Sequence, residues 1–259
     1  MYRSLGFDRA AVAVVTLAVL ALGTPLFADE ALPDGATVMD KFVDASGGKD
    51  AYDKIDNRLI KGTFEMPAAG ISMDLTIYAA KPNVNYTLGE SEAMGRFEQG
   101  TDGEIAWEVS TMSGARFMEG EEKADTMRNA IFDATAYWRD VYETVETVGE
   151  TACYKVVATP AGGSPQTMYF DQESGLLIQV ETILHHSMGD IPIKSLMSEY
   201  QEVDGIKMPF HTTSSMMGQD RAITLTSVEH NVEMAADRFA VPEEVREILE
   251  IPEATRAED

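Results

Sequence analysis

Four histidines and one cysteine are the side chains of this sequence that could bind a transition metal or form a nucleophile–base pair. They are His185, His186, His211, His230 and Cys153. The first two are adjacent, and adjacent side chains on a strand point to opposite faces of a sheet, so they cannot readily bind one metal ion together. We therefore expect no metal and no cofactor. The sequence also lacks the GxSxG, HExxH, P-loop and GxGxxG patterns, and it predicts a protein that is not an enzyme.

The context of Cys153 is an apolar, strand-like run at residues 152–157. Free cysteine is among the most buried residue types, so this context predicts a buried, inert thiol, and a reactive nucleophile is the alternative. One cysteine cannot form an intramolecular disulfide, so the core must supply the stability. The acidic residues are scattered, which is typical of a solvated surface rather than of paired acid–base carboxylates.

The first 28 residues indicate where the protein acts. Arg3 and Arg9 precede an apolar run at residues 10–22, and the small residue Ala28 precedes two acidic residues, which is the order of a secretory signal peptide. We expect residues 1–28 to be cleaved near Ala28 and the protein to be released into the periplasm. A retained anchor is the alternative, but the run is short for a hydrocarbon core of about 30 Å.

The overall charge is strongly acidic. The formal net charge is −24, and it becomes −25 without the leader, whose charged residues are Arg3, Asp8 and Arg9. Such a surface repels phosphates, so we expect no nucleic-acid partner and no binding to anionic lipid surfaces through a basic patch.

Apolar residues with a period of two predict strands with one buried face. Met73, Leu75 and Ile77 alternate with polar residues, and so do Trp107 and Val109. About eleven such runs follow a short helix in which Val38, Phe42 and Val43 share a face and which ends at Gly47–Gly48. The dipeptides Asp102–Gly103 and Asp204–Gly205 predict two-residue hairpin turns, because Gly and Asp tolerate positive φ.

One helical segment interrupts the strands. Apolar residues recur at spacings of three and four from Glu119 to Trp138, and they include Met127 and Ile131. The segment from Thr135 to Tyr142 is rich in aromatic residues and predicts packing of a helix end onto the sheet, with stacking on a ligand as the alternative. Antiparallel strands in this number must close or nearly close, and a barrel of that width has room for an apolar cavity. The helix would then be its lid, with a dry core as the alternative reading.

The ordered set of short motifs resembles the outer-membrane lipoprotein-sorting group of LolA/LolB-like proteins. The motifs are IKGTF (60–64), TDGEIAW (101–107), VGETACYKV (148–156), YFDQESGLL (169–177) and YQEVDGIKMP (200–209). The resemblance covers residues 36–241 and implies a mainly β (α+β) fold: an incomplete antiparallel β-barrel with an N-terminal helix, an inserted helical lid and a cavity for acyl chains. No single arginine among Arg96, Arg116, Arg128 and Arg139 stands out as a partner for the lid.

This reading divides the chain into a signal peptide (1–28), a LolA-like barrel domain (29–242) and an acidic C-terminal tail (243–259). The predicted function is a monomeric periplasmic carrier for a lipid or an acylated lipoprotein, in transport for outer-membrane biogenesis. The alternative is an envelope sensor of the same fold that binds a membrane protein. A third hypothesis, an exported hydrolase, is disfavoured because the sequence lacks a nucleophile–base motif. The predicted cavity and lid residues are Met73, Leu75, Ile77, Trp107, Val109, Met127, Ile131 and Trp138.

Overall fold

The computed structural model describes residues 31–186, 189–216 and 218–250. Its helices in these ranges are α1 (Gly35–Ser46), α2 (Lys49–Tyr52), α3 (Gly120–Asn129), α4 (Trp138–Val141) and α5 (Glu243–Glu250), with a short 3-10 turn at Pro67–Ala69. Its first strands are β1 (Asn57–Met66), β2 (Ile71–Ala80), β3 (Val84–Ser91), β4 (Gly95–Thr101), β5 (Ala106–Ser110) and β6 (Gly114–Phe117). The remaining strands are β7 (Tyr142–Glu150), β8 (Cys153–Pro160), β9 (Gln166–Asp171), β10 (Leu177–His186), β11 (Gly189–Val203), β12 (Ile206–Met216) and β13 (Gln219–His230).

All thirteen strands of the described residues belong to one antiparallel sheet. Their order is β6-β5-β4-β3-β2-β1-β13-β12-β11-β10-β9-β8-β7, so two meanders meet where β1 pairs with β13. The edge strands β6 and β7 do not pair with each other, and the barrel is therefore incomplete. The predicted fold class is confirmed. The sheet has more strands than the predicted eleven or so, in part because β6 is only four residues long and leaves little alternation to detect.

The sheet curves around the helical segment that joins its two edges. Helix α3 contacts both β5 and β10, although seven strands lie between them in the sheet. A flat sheet would separate β5 and β10 by about 38 Å at ~4.8 Å per strand, whereas ten helical residues span only about 15 Å. The face that α3 covers is therefore the concave face, and the opposite face is the outer face.

Strand register assigns side chains to these two faces. Leu75 pairs with Gly62 on one side and with Gly89 on the other, and Gly62 pairs with Leu225, so all four lie on the same face. Arg58 lies four residues before Gly62 on β1, so its side chain is on the same face. It contacts Asp133 of the inserted segment, which joins β6 to β7. This contact identifies the face of Leu75 as the concave one, because successive residues on a strand alternate between faces.

Helix α1 closes one half of the concave face. It buries Val38, Met39 and Phe42 in a cluster that includes Val156 and Phe170 of the facing strands. Its first residue is a glycine for a steric reason: a Cβ at Gly35 would lie 2.4 Å from the carbonyl oxygen of Val145. The predicted helix is confirmed, and backbone N–H groups of Gly47 and Gly48 bond the carbonyls of its last turn.

The hairpin predictions have different outcomes. Asp204–Gly205 is a two-residue turn between β11 and β12, with φ of 52° and 83°, as predicted. The prediction at Asp102–Gly103 is wrong, because four residues separate β4 from β5. The Asp102 side chain there accepts hydrogen bonds from the N–H groups of Glu104 and Ile105, which extends the turn.

The predicted leader, residues 1–28, and the last nine residues of the predicted tail lie outside the described residues. Within the described ranges, no helix combines the length and apolarity needed to cross a bilayer.

Candidate functional site

The middle of the concave face is apolar and only partly covered. We call this surface the concave patch; its side chains are partly exposed rather than buried, and they lie outside the three apolar clusters of the core. It comprises Ile60, Phe64, Met73, Leu75, Ile77, Ile223 and Leu225. Met73 and Leu75 lean over Gly89, where a Cβ would meet the Met73 methyl at 2.9 Å. Exposed apolar surface inside a curved sheet is the usual character of a ligand site.

The patch thus contains three of the residues predicted from the sequence, namely Met73, Leu75 and Ile77. Trp107 and Val109 are not among them. Trp107 pairs with Gly100, whose neighbour on the next strand is Tyr86, and this row occupies the outer face. The prediction that Trp107 and Val109 point inward with Met73 is wrong, because alternation along one strand cannot say which face of the sheet it defines.

On the outer face Trp107 is covered by the end of the chain. It is fully buried against Tyr86, Val241 and Val245, with Val109 partly buried beside them. Val245 belongs to α5, so the helix that the sequence reading treats as a tail packs against the sheet. Gly100 leaves room for the indole, since a Cβ there would lie 3.0 Å from its ring.

The inserted segment is not one helix. The predicted helix from Glu119 to Trp138 is wrong in its extent: α3 ends at Asn129 and α4 begins at Trp138. Between them Asp133 has φ of 49°, which breaks helical geometry, and its carboxylate binds the Arg58 guanidinium at 3.0 and 3.1 Å. A side-chain partner on a distant strand decides this break, and helical spacing gives no sign of it.

The three predicted lid residues, Met127, Ile131 and Trp138, therefore lie in different surroundings. Met127 of α3 faces the sheet, and its sulfur accepts a hydrogen bond from the Thr101 hydroxyl at 3.0 Å. Ile131 lines a surface cleft with Pro82 and Val141, and its neighbour Phe132 is the buried residue instead. The prediction that Ile131 faces the interior from a helix is therefore wrong.

Trp138 is buried against α1, far along the sheet from the concave patch. Its indole N–H donates to Asp40 at 3.2 Å, and Arg139 stacks on the ring and bonds the same carboxylate. With Tyr142 also buried in this cluster, the predicted packing of the aromatic segment onto the sheet is confirmed. Desolvation raises the pKa of Tyr142 to about 12.

Helix α3 is held mainly by polar contacts. None of its ten residues, all of them described, is buried, whereas α1 buries six of twelve. Arg116 of β6 donates to both Glu108 and Glu122, and these hydrogen bonds raise the pKa of the guanidinium. Arg128 donates to Asp125 and to the carbonyl of Gly162. A helix that buries so little apolar surface can separate from the sheet at low cost, because apolar burial is the main favourable term in packing.

Helix α3 is also attached to β10, through a histidine. His185 Nδ1 lies 2.6 Å from Asp125, which also accepts the His185 backbone N–H at 3.1 Å. This hydrogen bond raises the pKa of His185. Desolvation of Asp125 opposes its ionisation, but the bonds from Arg128 and His185 outweigh it and hold the carboxyl pKa below its usual value.

A small cavity lies beneath α3. Its volume is 190 Å³, and its walls include Arg128, Pro160, Val180 and Leu184. Ligand pockets for small molecules usually measure about 300–1,000 Å³, so the space under the closed helix is too small for a long acyl chain. A chain that enters must displace α3 or extend over the concave patch.

No sequence motif singles out Arg221. Its Nε and that of Arg238 are both buried without a hydrogen-bond partner among the described residues, but the Arg238 guanidinium lies over the Tyr78 ring at 4.3 Å, whereas Arg221 has no such ring contact there. Arg96, Arg116, Arg128 and Arg139 each pair with a carboxylate. Arg221 has no ion pair among the described residues, and its Nε is buried without a hydrogen-bond partner there. Desolvation lowers the pKa of its guanidinium. Its only sequence signal is a cation that alternates in step with the apolar residues Ile223 and Leu225 of the same strand.

The remaining candidates from the sequence have separate partners. His211 contacts Thr224 at 3.0 Å, and His230 contacts Asp204 at 2.9 Å and accepts from Arg58. The side chain of His186 lies outside the described residues. Cys153 is partly exposed, so its predicted burial is wrong; it sits at the first position of β8, 3.9 Å from the Thr151 hydroxyl. Within the described ranges no three His, Cys, Asp or Glu side chains are grouped as metal ligands.

Solved structures share this architecture. The chain is similar to a DUF1329 family protein from Desulfovibrio piger, with a TM-score of 0.54, 14% identity and coverage of 80% of this chain and 98% of that one. It is similar to a LolA superfamily protein from Nitrosomonas europaea, with a TM-score of 0.52, 10% identity and coverage of 81% and 99%. The fold is LolA-like. A putative outer membrane lipoprotein-sorting protein domain from Vibrio parahaemolyticus matches the LolA-like sheet with a TM-score of 0.51, 9% identity and coverage of 80% and 96%. No protein-family model matches the sequence, and no curated protein matches it.

Proposed function

We propose that this protein is a periplasmic carrier that binds acyl chains of a lipid or lipoprotein on the concave patch. The observation that carries the proposal is the patch itself: contiguous, partly exposed apolar side chains on the concave face of a curved sheet, between the strands β5 and β10 that α3 contacts. The unbranched side chain of Met73 can adapt to a flexible acyl chain, and Gly89 leaves room for that side chain to lie close to the sheet. The LolA-like fold agrees with this role, since one of its matches is a putative lipoprotein-sorting domain.

Movement of α3 is part of the proposal. The closed space of 190 Å³ is smaller than a long acyl chain requires, and α3 is attached through Glu122, Asp125 and Arg128 rather than through buried apolar residues. We propose that α3 lifts to admit the chain and then covers it. Export after cleavage near Ala28, a monomeric state and a non-enzymatic role complete the proposal.

Filling the patch tests the proposal. Leu75→Trp places an indole over Gly89 on the concave face, and Thr76→Trp places the same ring one residue away on the outer face. Calorimetric titration with a long-chain fatty acid should show saturable binding to the wild type and to the Thr76 variant. Binding to the Leu75 variant should be weaker by about tenfold or more, since a lost contact of ~1.4 kcal/mol corresponds to that factor.

Both variants should have thermal midpoints close to that of the wild type, because both positions are partly exposed, and this measurement checks that each variant is folded. Equal binding by the two variants would contradict the site. No saturable binding to the wild type would contradict the carrier proposal and favour the alternative, an envelope interaction protein of the same fold that binds a protein partner.

A further inference from the structure

We propose that Arg221 binds the anionic head group of the amphiphile whose acyl chain lies on the concave patch. The inference rests on the proposed function and deepens it: it assigns the ligand class as an acyl lipid with a phosphate or carboxylate head rather than a neutral one.

The position of Arg221 supports this assignment. Arg221 lies two residues before Ile223 of the patch on β13, so its side chain is on the same, concave face. Its pairing partner on β12 is Ser214. Arg221 is also the third residue of β13, close to the exposed Gly218, and β13 contacts the 3-10 turn at Pro67–Ala69 between β1 and β2. The guanidinium thus sits where the patch meets the rim of the sheet, as a head group would if its chain extended inward.

The bonding of Arg221 is incomplete. Its Nη2 contacts the sulfur of Met216 at 2.9 Å, a weak acceptor, and its Nε is buried without a partner among the described residues. A guanidinium has five N–H donors in a fork that matches carboxylate and phosphate oxygens. Its sequence neighbour Asp220 is exposed and, by alternation, faces outward. A buried donor without an acceptor destabilises the protein, and an anionic ligand would satisfy it.

An unpaired Arg221 is unusual in a chain with so many carboxylates. At a net charge of −24, nearby carboxylates are abundant, and Arg96, Arg116, Arg128 and Arg139 each have one. An arginine left unpaired on an apolar concave face is therefore unlike its surroundings, and its field is the local attraction for an anion in an otherwise repulsive protein.

A matched pair of ligands isolates the head group. Myristoyl lysophosphatidic acid and monomyristoylglycerol share one chain and differ by the phosphate. Below their micellar concentrations, the wild type should bind the phosphate form about tenfold or more tightly, as expected for charge-assisted hydrogen bonds. In Arg221→Met the two affinities should become equal, at the level of the monoacylglycerol. Lys61→Gln, which removes an exposed cation from the outer face of β1, should retain the wild-type preference.

Two further readouts distinguish the possible failures. Arg221→Met should melt at or above the wild-type temperature, because the substitution removes an unpaired desolvated cation; Arg221→Gln serves as a second variant that keeps a polar group. Equal binding of both ligands by the wild type, or a preference that survives both variants, would overturn the role of Arg221 while leaving the carrier proposal intact. Failure of both ligands to bind the wild type would overturn the proposed function itself. Binding of inorganic phosphate alone with the affinity of the lysophospholipid would show that the site takes the free anion, and would also overturn the inference.

Discussion

The imidazole of His185 on β10 and the carboxylate of Asp125 on α3 are 2.6 Å apart, and this contact joins α3 to the sheet. The charged groups that raise the pKa of His185 are Asp125, Asp190 at 3.8 Å and Glu121; Arg116 lines the same cleft, and Arg128 bonds the Asp125 carboxylate from the other side. The hydrogen bond with Asp125 is the main cause of the raised pKa of His185, so the contact is strongest when the ring is protonated.

We therefore predict that α3 loosens as the pH rises. Because the folded pKa of His185 lies above the unfolded value of about 6.5, its contribution is fully present below pH ~6.5 and is lost as the pH rises through the raised folded value. Hydrogen exchange of α3 amides, corrected for intrinsic rates, should show decreasing protection across that window. His185→Gln should abolish the dependence and His211→Gln should preserve it. An NMR titration that places the pKa of His185 at or below 6.5 would refute this.

A second prediction concerns the ion pair that shapes the inserted segment. The side chains of Arg58 and Asp133 are only 10% and 11% exposed, and they form two parallel hydrogen bonds. Replacing Asp133 with Asn should destabilise the protein by about 3–5 kcal/mol, because the buried guanidinium would lose its countercharge. The exposed pair of Lys49 and Asp53 supplies the control, and Lys49→Ala should leave urea unfolding unchanged. Similar midpoints for the two variants would show that the Arg58 pair does not hold the segment.

A third prediction separates the two faces of the sheet. Trp107 is fully buried under Val245 of α5, so Trp107→Ala should cost about 3–5 kcal/mol in the free energy of unfolding. Fatty-acid affinity measured on the folded fraction should not change, because the outer face does not contact the ligand. In a Trp138→Phe protein, the fluorescence of the remaining Trp107 should likewise not respond to ligand. A saturable spectral change there would place the ligand on the outer face.

The sequence predicts the fold class and three of the residues that the structure places together on the concave patch. Period-two alternation identified β2, and helical spacing with Gly47–Gly48 identified α1, since both signals are local. Local sequence does not show which positions on different strands share a face of the sheet. The residues around Trp107 and Met73 alternate in the same way, and only the strand register shows that these two side chains lie on opposite faces. The end of α3 depends on the contact of Asp133 with Arg58, 75 residues away. Arg221 is informative only through the partners it lacks, which no sequence pattern reports.

Photocrosslinking tests the central claim most directly. A myristic acid analogue with a diazirine near its methyl end, bound to the wild-type protein and irradiated, should label peptides that carry Met73 and Leu75 of β2 or Ile223 and Leu225 of β13. Excess unlabelled fatty acid should compete for this labelling, and Leu75→Trp should reduce it. Labelling concentrated on the outer-face peptide around Trp107, or labelling that competitor does not reduce, would contradict acyl-chain binding on the concave patch.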